Sequence, residues 1–478
     1  MQYGPDILPH SPYGNVSGGV IHVWRPKHWA SWMFIIDEKT STNTTFQFEK
    51  GGFQDARGNN NGQEFYVENL FEELDMETEW YFNTSTRILY YYNNKTGPPL
   101  PSDDMEACNL KVLISLIGNM SNPVSNVTIR GIVLENTQYT YLDPHGMPSG
   151  GDWALQRTGA IYLDGTWNVS ISNNEMTRLD GIAISVNRYN RLTVIARNEI
   201  AWTGDSAITL WGDTNGITFP SSMDTSTMGW DGTDGNQPRG VQIIQNYVHE
   251  LGIWEKQSSF LFQGKSCQNV IAYNIFYNGP RAGINFNDGF GGGSLIFKNL
   301  LFNTCRESGD HGLHLFFFIL FFLFRNYFFC YDEISFNFVI ANYNSQEAVD
   351  NDDGSCYFWT HHNFFVYASN GLKGDYGGHD NRHAQYPGYN DAYFNNTVVL
   401  RVDLDEYGIF SCGSEMSAWP ILGNNVISSP SGNTSEIGLC DLPLKQFQTE
   451  YNYDLGSIVE NWPSDEQLLS GATQLLFS

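Results

Sequence analysis

Charge is scarce in this chain, and positive charge is scarcest. Charged residues fill 16% of the 478 positions, against roughly 25% in ordinary soluble domains. Lys and Arg total 25 against 52 Asp and Glu, a net charge of −27. Phosphate backbones and anionic bilayers are bound by clustered Lys and Arg, so nucleic acid and membrane surfaces are excluded as partners. Seven cysteines (Cys108, Cys267, Cys305, Cys330, Cys356, Cys412 and Cys440) are scattered with no CxxC or CxxxxC pair. That excludes a zinc ribbon or finger, and the odd number leaves at least one thiol unpaired. The most apolar run, Leu315–Phe324, has ten residues, half the ~20 that span a bilayer. The opening, MQYGPDILPHSPYGN, has neither a basic start nor an apolar core, so no secretion signal is visible.

What is present is glycine, at 47 residues, and aromatic side chains, at 15%. Polarity comes from Asn, Ser, Thr and Gly, which suits turn-rich all-β architecture. One pattern recurs: apolar, x, x, Asn, x, apolar. It reads ISNNEM with Asn174, IARNEI with Asn198, IIQNYV with Asn246, IAYNIF with Asn274, IFKNLL with Asn299 and ISFNFV with Asn337. ILGNNVI carries Asn424 and Asn425, and HHNFFV around Asn363 is a looser copy. The steps from 174 to 198 and from 274 to 299 are one coil of a solenoid. The step from 198 to 246 is two coils, or one coil with residues 213–240 inserted. Such coils cannot bury their apolar faces alone and form a continuous core by stacking. An Asn at one turn of successive coils forms an amide ladder along the axis. The pattern predicts an all-β, right-handed parallel β-helix over 121–430, followed by a C-terminal cap or tail over 431–478. Residues 1–120 read as a β-rich cap or inserted module that closes the open end, with a hairpin at Trp80–Tyr92.

The run YVENLFEELDMETEWYFNTSTRILYYY, followed by VSNVTIRGIVLENT and the Asn coils, resembles the right-handed β-helix proteins of the pectate-lyase-like superfamily. The closest likeness is to its carbohydrate-active members near glycoside hydrolase family 141. The resemblance covers roughly residues 20–312 and 331–430. It implies a secreted protein, and the missing signal then implies a truncated N-terminus. The sequons at Asn15, Asn43, Asn83, Asn94, Asn119, Asn126, Asn168, Asn395 and Asn433 add modest support. Residues 313–330, LHLFFFILFFLFRNYFFC, depart from the pattern with eight Phe in 18 positions. They read as translated T-rich non-coding sequence lying outside the coils, and without them six cysteines remain.

A parallel β-helix puts equivalent turn residues in columns. Counting forward from each coil Asn leads to Asp180, Asp205, Arg281, Asp310 and the trio Asp350, Asp352 and Asp353. The expected result is an acidic ridge with one Arg. Glycosidic hydrolysis uses two carboxyls, ~5–5.5 Å apart for retention and ~6.5–9.5 Å for inversion. Coils ~4.8 Å apart make Asp310 and one of Asp350, Asp352 or Asp353 the expected catalytic pair. Asp205, Arg281, His311 and Trp202 are the expected substrate contacts. Each such Asp also suits simple turn capping. DNDDGS resembles a calcium loop without the distal Glu; calcium stays open there, and no other metal or cofactor is expected. KGDYGGHDNRH, with Asp375, His379, Asp380 and His383, reads as a solvated turn.

Three functions stay open. The first is a monomeric extracellular glycoside hydrolase acting on a polysaccharide or oligosaccharide. The second is a polysaccharide lyase or epimerase on the same fold, which wants a Lys, Arg, His or Tyr base. The third is a non-catalytic carbohydrate-binding or surface protein. One Arg among many acids favours the first.

Overall fold

The computed structural model describes residues 7–8, 10–42, 45–52, 64–93, 97, 105–145, 155–213, 235–286, 292–309, 314–317, 331–340, 347–352, 357–368, 371–374, 391–401, 407–410, 419–430 and 437–478. The chain is all-β and winds into a parallel β-helix of three strand columns, here called A, B and C in the order each coil visits them. Column A stacks Ile114–Ile117, the start of Ile161–Ser172, the start of Ile184–Arg191, Ile208–Trp211, Leu261–Gly264 and Ile284–Phe286 in parallel register. Column C runs from Val133–Thr137 through Glu175–Leu179, Glu199–Thr203, Tyr247–Leu251 and Ile275–Tyr277 to Ile458–Glu460.

The interior is built of like on like. Ile161, Ile184, Ile208, Leu261 and Ile284 stack down column A. Ile171, Ile195, Ile243, Ile271, Ile296 and Ile334 stack down column B. Met176, Ile200, Val248, Phe276 and Leu301 stack down column C. All belong to one buried cluster. Strand alternation sends each neighbouring side chain to the outer face.

The B-to-C corner is the same in nine successive coils, after a first coil that turns at Gly131–Ile132. Two residues connect the strands. The first has positive φ, as at Asn173, Arg197, Gln245, Tyr273, Lys298, Phe336, His362, Asn395 and Asn424. The second is a buried Asn. Asn174, Asn198, Asn246, Asn274, Asn299, Asn337, Asn363, Asn396 and Asn425 form one ladder, each Nδ2 donating to the next Oδ1 at 2.9–3.1 Å. The same Nδ2 donates to an interior carbonyl one coil back, as Asn274 does to Ile243 at 2.9 Å. Asn425, not Asn424, is the rung; in an Asn-Asn pair the first residue takes the left-handed position, which Asn tolerates well. Asn396 is a rung that the repeat search misses. Asn198 bonds directly to Asn246, so the segment between them is one coil with an insertion.

The Phe-rich stretch does not lie wholly outside the coils. His314–Phe317 form the A strand of their coil, paired with Ile284–Phe286 on one side and Val349–Asp352 on the other. Residues 313 and 318–330 lie outside the described residues. The boundaries expected for the insert are therefore corrected: no other described segment supplies an A strand between Gly309 and Asp332.

Before the solenoid comes a four-stranded antiparallel sheet in the order Thr45–Gly51, Ser31–Thr42, Val20–Trp24, Phe65–Glu68, followed by the hairpin Trp80–Asn83 with Ile88–Tyr91. The described contacts of this module are with the solenoid flank: Val20 and Met33 pack with Tyr141, Leu142 and Trp254. At the other end, α1 (Leu444–Tyr451) buries Leu444 and Phe447 against the last coils. Helix α2 (Asp465–Phe477) starts from a Ser464–Gln467 capping box and lays Leu468 and Ala472 on Phe338, Val366 and Val399 outside column C.

Candidate functional site

The C-to-A corner differs from coil to coil. Its connections hold four residues (180–183), four (204–207), nine (252–260) and six (278–283). The longest of these folds back on its neighbour: Trp254 N and Glu255 N both donate to the Gly204 carbonyl, at 3.1 and 2.9 Å. This brings Glu255 beside Asp205. Asp205 is fully buried. Its Oδ1 accepts from Ser206 N and lies 3.0 Å from Ser258 Oγ. Ser258 Oγ is also 2.6 Å from the Glu255 carbonyl. Glu255 Oε1 accepts from Gln257 N at 3.0 Å. The Gln257 side chain in turn accepts from Arg281, which is also buried.

Burial, and then the charge of Asp205, push the Glu255 carboxyl up to about 8. Gln257 N, Lys256 and Arg281 oppose the shift without cancelling it. Burial also raises Asp205, against hydrogen bonds from Ser206, Ser258 and Gln156. His145 packs against the pair, its Nε2 3.9 Å from Glu255 Oε2 and its Nδ1 2.6 Å from the Asp143 carbonyl. Burial lowers its imidazole to about 4, so it is neutral at neutral pH. Two coupled carboxyls on neighbouring coils, one holding its proton at neutral pH, form an acid/base arrangement.

From this corner the outer face of column A runs through Ser185, Thr209, Phe262 and Asn285, all buried. Leu155 covers it, packed with Trp211, Phe262 and Ala282. Arg157 holds that cover down. Its guanidinium lies 3.8 Å over the Trp211 ring and donates to the Trp211 carbonyl at 2.9 Å and to the Gly212 carbonyl at 2.5 Å. The Asn285 amide is buried there with no hydrogen-bond partner among the described residues, an arrangement that in folded proteins calls for an explanation such as a bound polar group.

Of the residues expected from the sequence, Asp205 and Arg281 come together at this corner. Asp350 does not join them. It sits in the A strand Glu347–Asp352, fully buried, two coils beyond Asn285, with Lys373 Nζ at 2.8 Å. The expected ridge placement of Asp350 and Asp352 on a turn is corrected: this coil resumes column A at Glu347, so both are strand residues. Asp310, His311 and Asp353 lie outside the described residues, as do Asp375, His379, Asp380 and His383. Trp202 is 52% exposed, on the outer side of column C. Among the described residues no group of three or more His, Cys, Asp or Glu is arranged to hold a metal. Glu255, Gln257 and His145 were not singled out from the sequence. Counting nine forward from Asn246, the coil left out of that reckoning, reaches Glu255.

No known family profile matches the chain, and no curated protein matches its sequence. Among solved structures, one described as "Glycoside hydrolase" is similar at 14% identity and a TM-score of 0.53, over 87% of this chain and 68% of its own. Another, "The complex structure of XylC with xylose", is 10% identical with a TM-score of 0.40, over 71% of this chain and 53% of its own. Likeness at such identities shows the fold alone.

Proposed function

We propose that this chain is a carbohydrate-active enzyme that hydrolyses glycosidic bonds, with Glu255 as general acid and Asp205 as nucleophile or general base. The observation that carries this reading is the buried Asp205–Glu255 pair, with the Glu255 carboxyl raised to about 8. Protonated Glu255 gives its proton to the leaving oxygen as the bond to the anomeric carbon breaks. Ionised Asp205 attacks that carbon, and water, deprotonated by the now ionised Glu255, then releases the sugar from Asp205; or Asp205 takes a proton from the water that attacks directly. Arg281, through Gln257, and neutral His145 fix the pair. Both carboxyls lie beneath described residues, so the reaction requires the cover at Leu155–Arg157 to lift from column A. The fold likeness to a structure named as a glycoside hydrolase supports the substrate class. Cys440 is disulfide-bonded, which fits an oxidising, extracellular compartment. No helix among the described residues is long and apolar enough to cross a membrane.

The test is turnover on a panel of oligosaccharides and polysaccharides. Glu255→Gln and Asp205→Asn should each lower kcat by about 10²–10⁴-fold. Asp310→Asn, Asp352→Asn and Asp353→Asn test the rival pair in the same assay. Full turnover in both Glu255→Gln and Asp205→Asn sinks the proposed assignment, and a loss confined to Asp310→Asn moves the site to the later coils.

A further inference from the structure

A second feature lies across column A from the carboxyl pair, at the A-to-B corner of the first four coils. There Ile117–Ser121, Asp164–Gly165, Arg188–Tyr189 and Asn236 line a pocket of about 670 Å³, inside the roughly 300–1,000 Å³ range of small-molecule sites. Its floor needs glycine. A Cβ on Gly165, which has φ +67°, would lie 2.3 Å from the Gly118 carbonyl carbon, and one on Gly118 would lie 2.6 Å from the Gly165 oxygen. The two turns therefore meet backbone to backbone and leave space above them. Four coil turns in a row span three coil steps, about 14 Å along the axis at ~4.8 Å each, so the pocket is a trough parallel to the solenoid.

Its side chains are held in place. Arg188 forms a two-pronged pair with Asp164, with Nε 3.1 Å from Oδ1. Tyr162 donates to Asp164 Oδ2 at 3.3 Å. Asn236 accepts from Tyr189 N at 3.1 Å and donates to Asp213 at 3.0 Å. Arg191 lies 4.4 Å over the Tyr189 ring. Ile117 and Met120 are 66% and 45% exposed at the rim. A fixed carboxylate, guanidinium and amide beside a phenol ring and apolar rim suit a ring that carries hydroxyls on its edge and C–H groups on its faces. Asp164 offsets Arg188, and Asp213 offsets part of the charge of the neighbouring Arg157 and Arg191. Among the described residues the trough therefore has no cationic cluster left to hold an acidic polymer, and the −27 of the whole chain disfavours one.

We infer that this trough binds a neutral glycan strand, as a site separate from the carboxyl pair. Its ligand class rests on the carbohydrate reading above. The test is affinity electrophoresis and calorimetry with soluble neutral polysaccharides (xylan, mannan, mixed-linkage glucan) and with polygalacturonate. The full chain is used as its Glu255→Gln form, so that binding is read without turnover. It is made in a non-glycosylating host, because Asn119 heads an Asn-Met-Ser sequon. Tyr189→Ala and, separately, Met120→Glu should weaken binding to a neutral polymer at least tenfold. Met120→Glu alters an exposed rim position and tests the idea even where Tyr189→Ala fails to fold. No binding to any neutral polymer, preference for polygalacturonate, or undiminished binding by the folded variants overturns the inference. Lost binding in these variants alongside full turnover in Glu255→Gln overturns the role given to Glu255 and leaves the trough standing. Undiminished binding alongside lost turnover does the reverse.

Discussion

Two corners of the same coil obey different rules. At the B-to-C corner two residues make the turn in every described coil, and nine asparagines satisfy one another down the axis. Its ends are closed as well: Ile132 N donates to Asn174 Oδ1 at 3.2 Å, and Asn425 N donates to Ser457 Oγ at 2.8 Å. At the C-to-A corner the connections run from two residues (369–370) to twenty-three (138–160), and the buried polar groups differ in type from coil to coil. A corner that repeats stabilises the stack, because each rung completes the hydrogen bonds of the next. A corner that does not repeat is free to gather unlike groups, and here it gathers Asp205, Glu255, Gln257, Arg281 and His145.

The sharpest way to break this comparison is to change one polar group in each corner. Glu255→Gln should cost the activity orders of magnitude while leaving urea stability at pH 8 equal or higher, since Gln imitates the protonated acid without its charge. Asn274→Leu should do the opposite. It removes the acceptor of Asn246 and a donor to Asn299 and Ile243, each a buried group costing about 1–3 kcal/mol when left unpaired. A loss on the order of 3 kcal/mol or more in urea unfolding is expected. An Asn274→Leu protein as stable as the parent would remove the structural role of the ladder.

The pH dependence sharpens the contrast by smaller steps. Burial raises Glu255 from 4.5 to about 8, and Asp332 and Asp391 from 3.8 to about 7. Folded carboxyls that keep protons the unfolded chain has released lose stability as pH rises. The contribution is intact below about 4, declines through the window up to about 7–8, and levels off above it. Each such proton contributes a slope of about 1.4 kcal/mol per pH unit. Unfolding free energies between pH 5 and pH 8 should therefore fall, and Glu255→Gln should flatten the fall. An unchanged slope in that variant would show that Glu255 is already ionised in the folded protein. The smallest effect concerns the left-handed position before each rung. Gln245 has φ +59° and is exposed. Gln245→Gly should stabilise by a few tenths to about 1 kcal/mol, and Gln245→Val should destabilise by a similar amount. Equal stability of the two in thermal melts would mean that the corner tolerates any side chain.

The residues that report the fold are those whose partner is a copy of themselves. Asn198 and Asn274 declare the ladder in the sequence because each rung needs the same amide in the next coil, and the isoleucines before them repeat for the same reason. The trio at Asp350–Asp353 shows the limit of counting. Its distance from Asn337 says nothing of where column A resumes, and that start, at Glu347, makes Asp350 a buried strand residue facing Lys373. Asp205 and Arg281 were legible as members of one corner; what they face was not. Glu255 stands 50 residues from Asp205 and reaches it only because a nine-residue connection folds over a four-residue one. Periodicity, composition and ladder are set by the sequence alone, since they depend on short repeated spacings. The pairing of Asp205 with Glu255 and the raised carboxyl that results belong to the tertiary structure, because burial and proximity exist only once the coils are stacked.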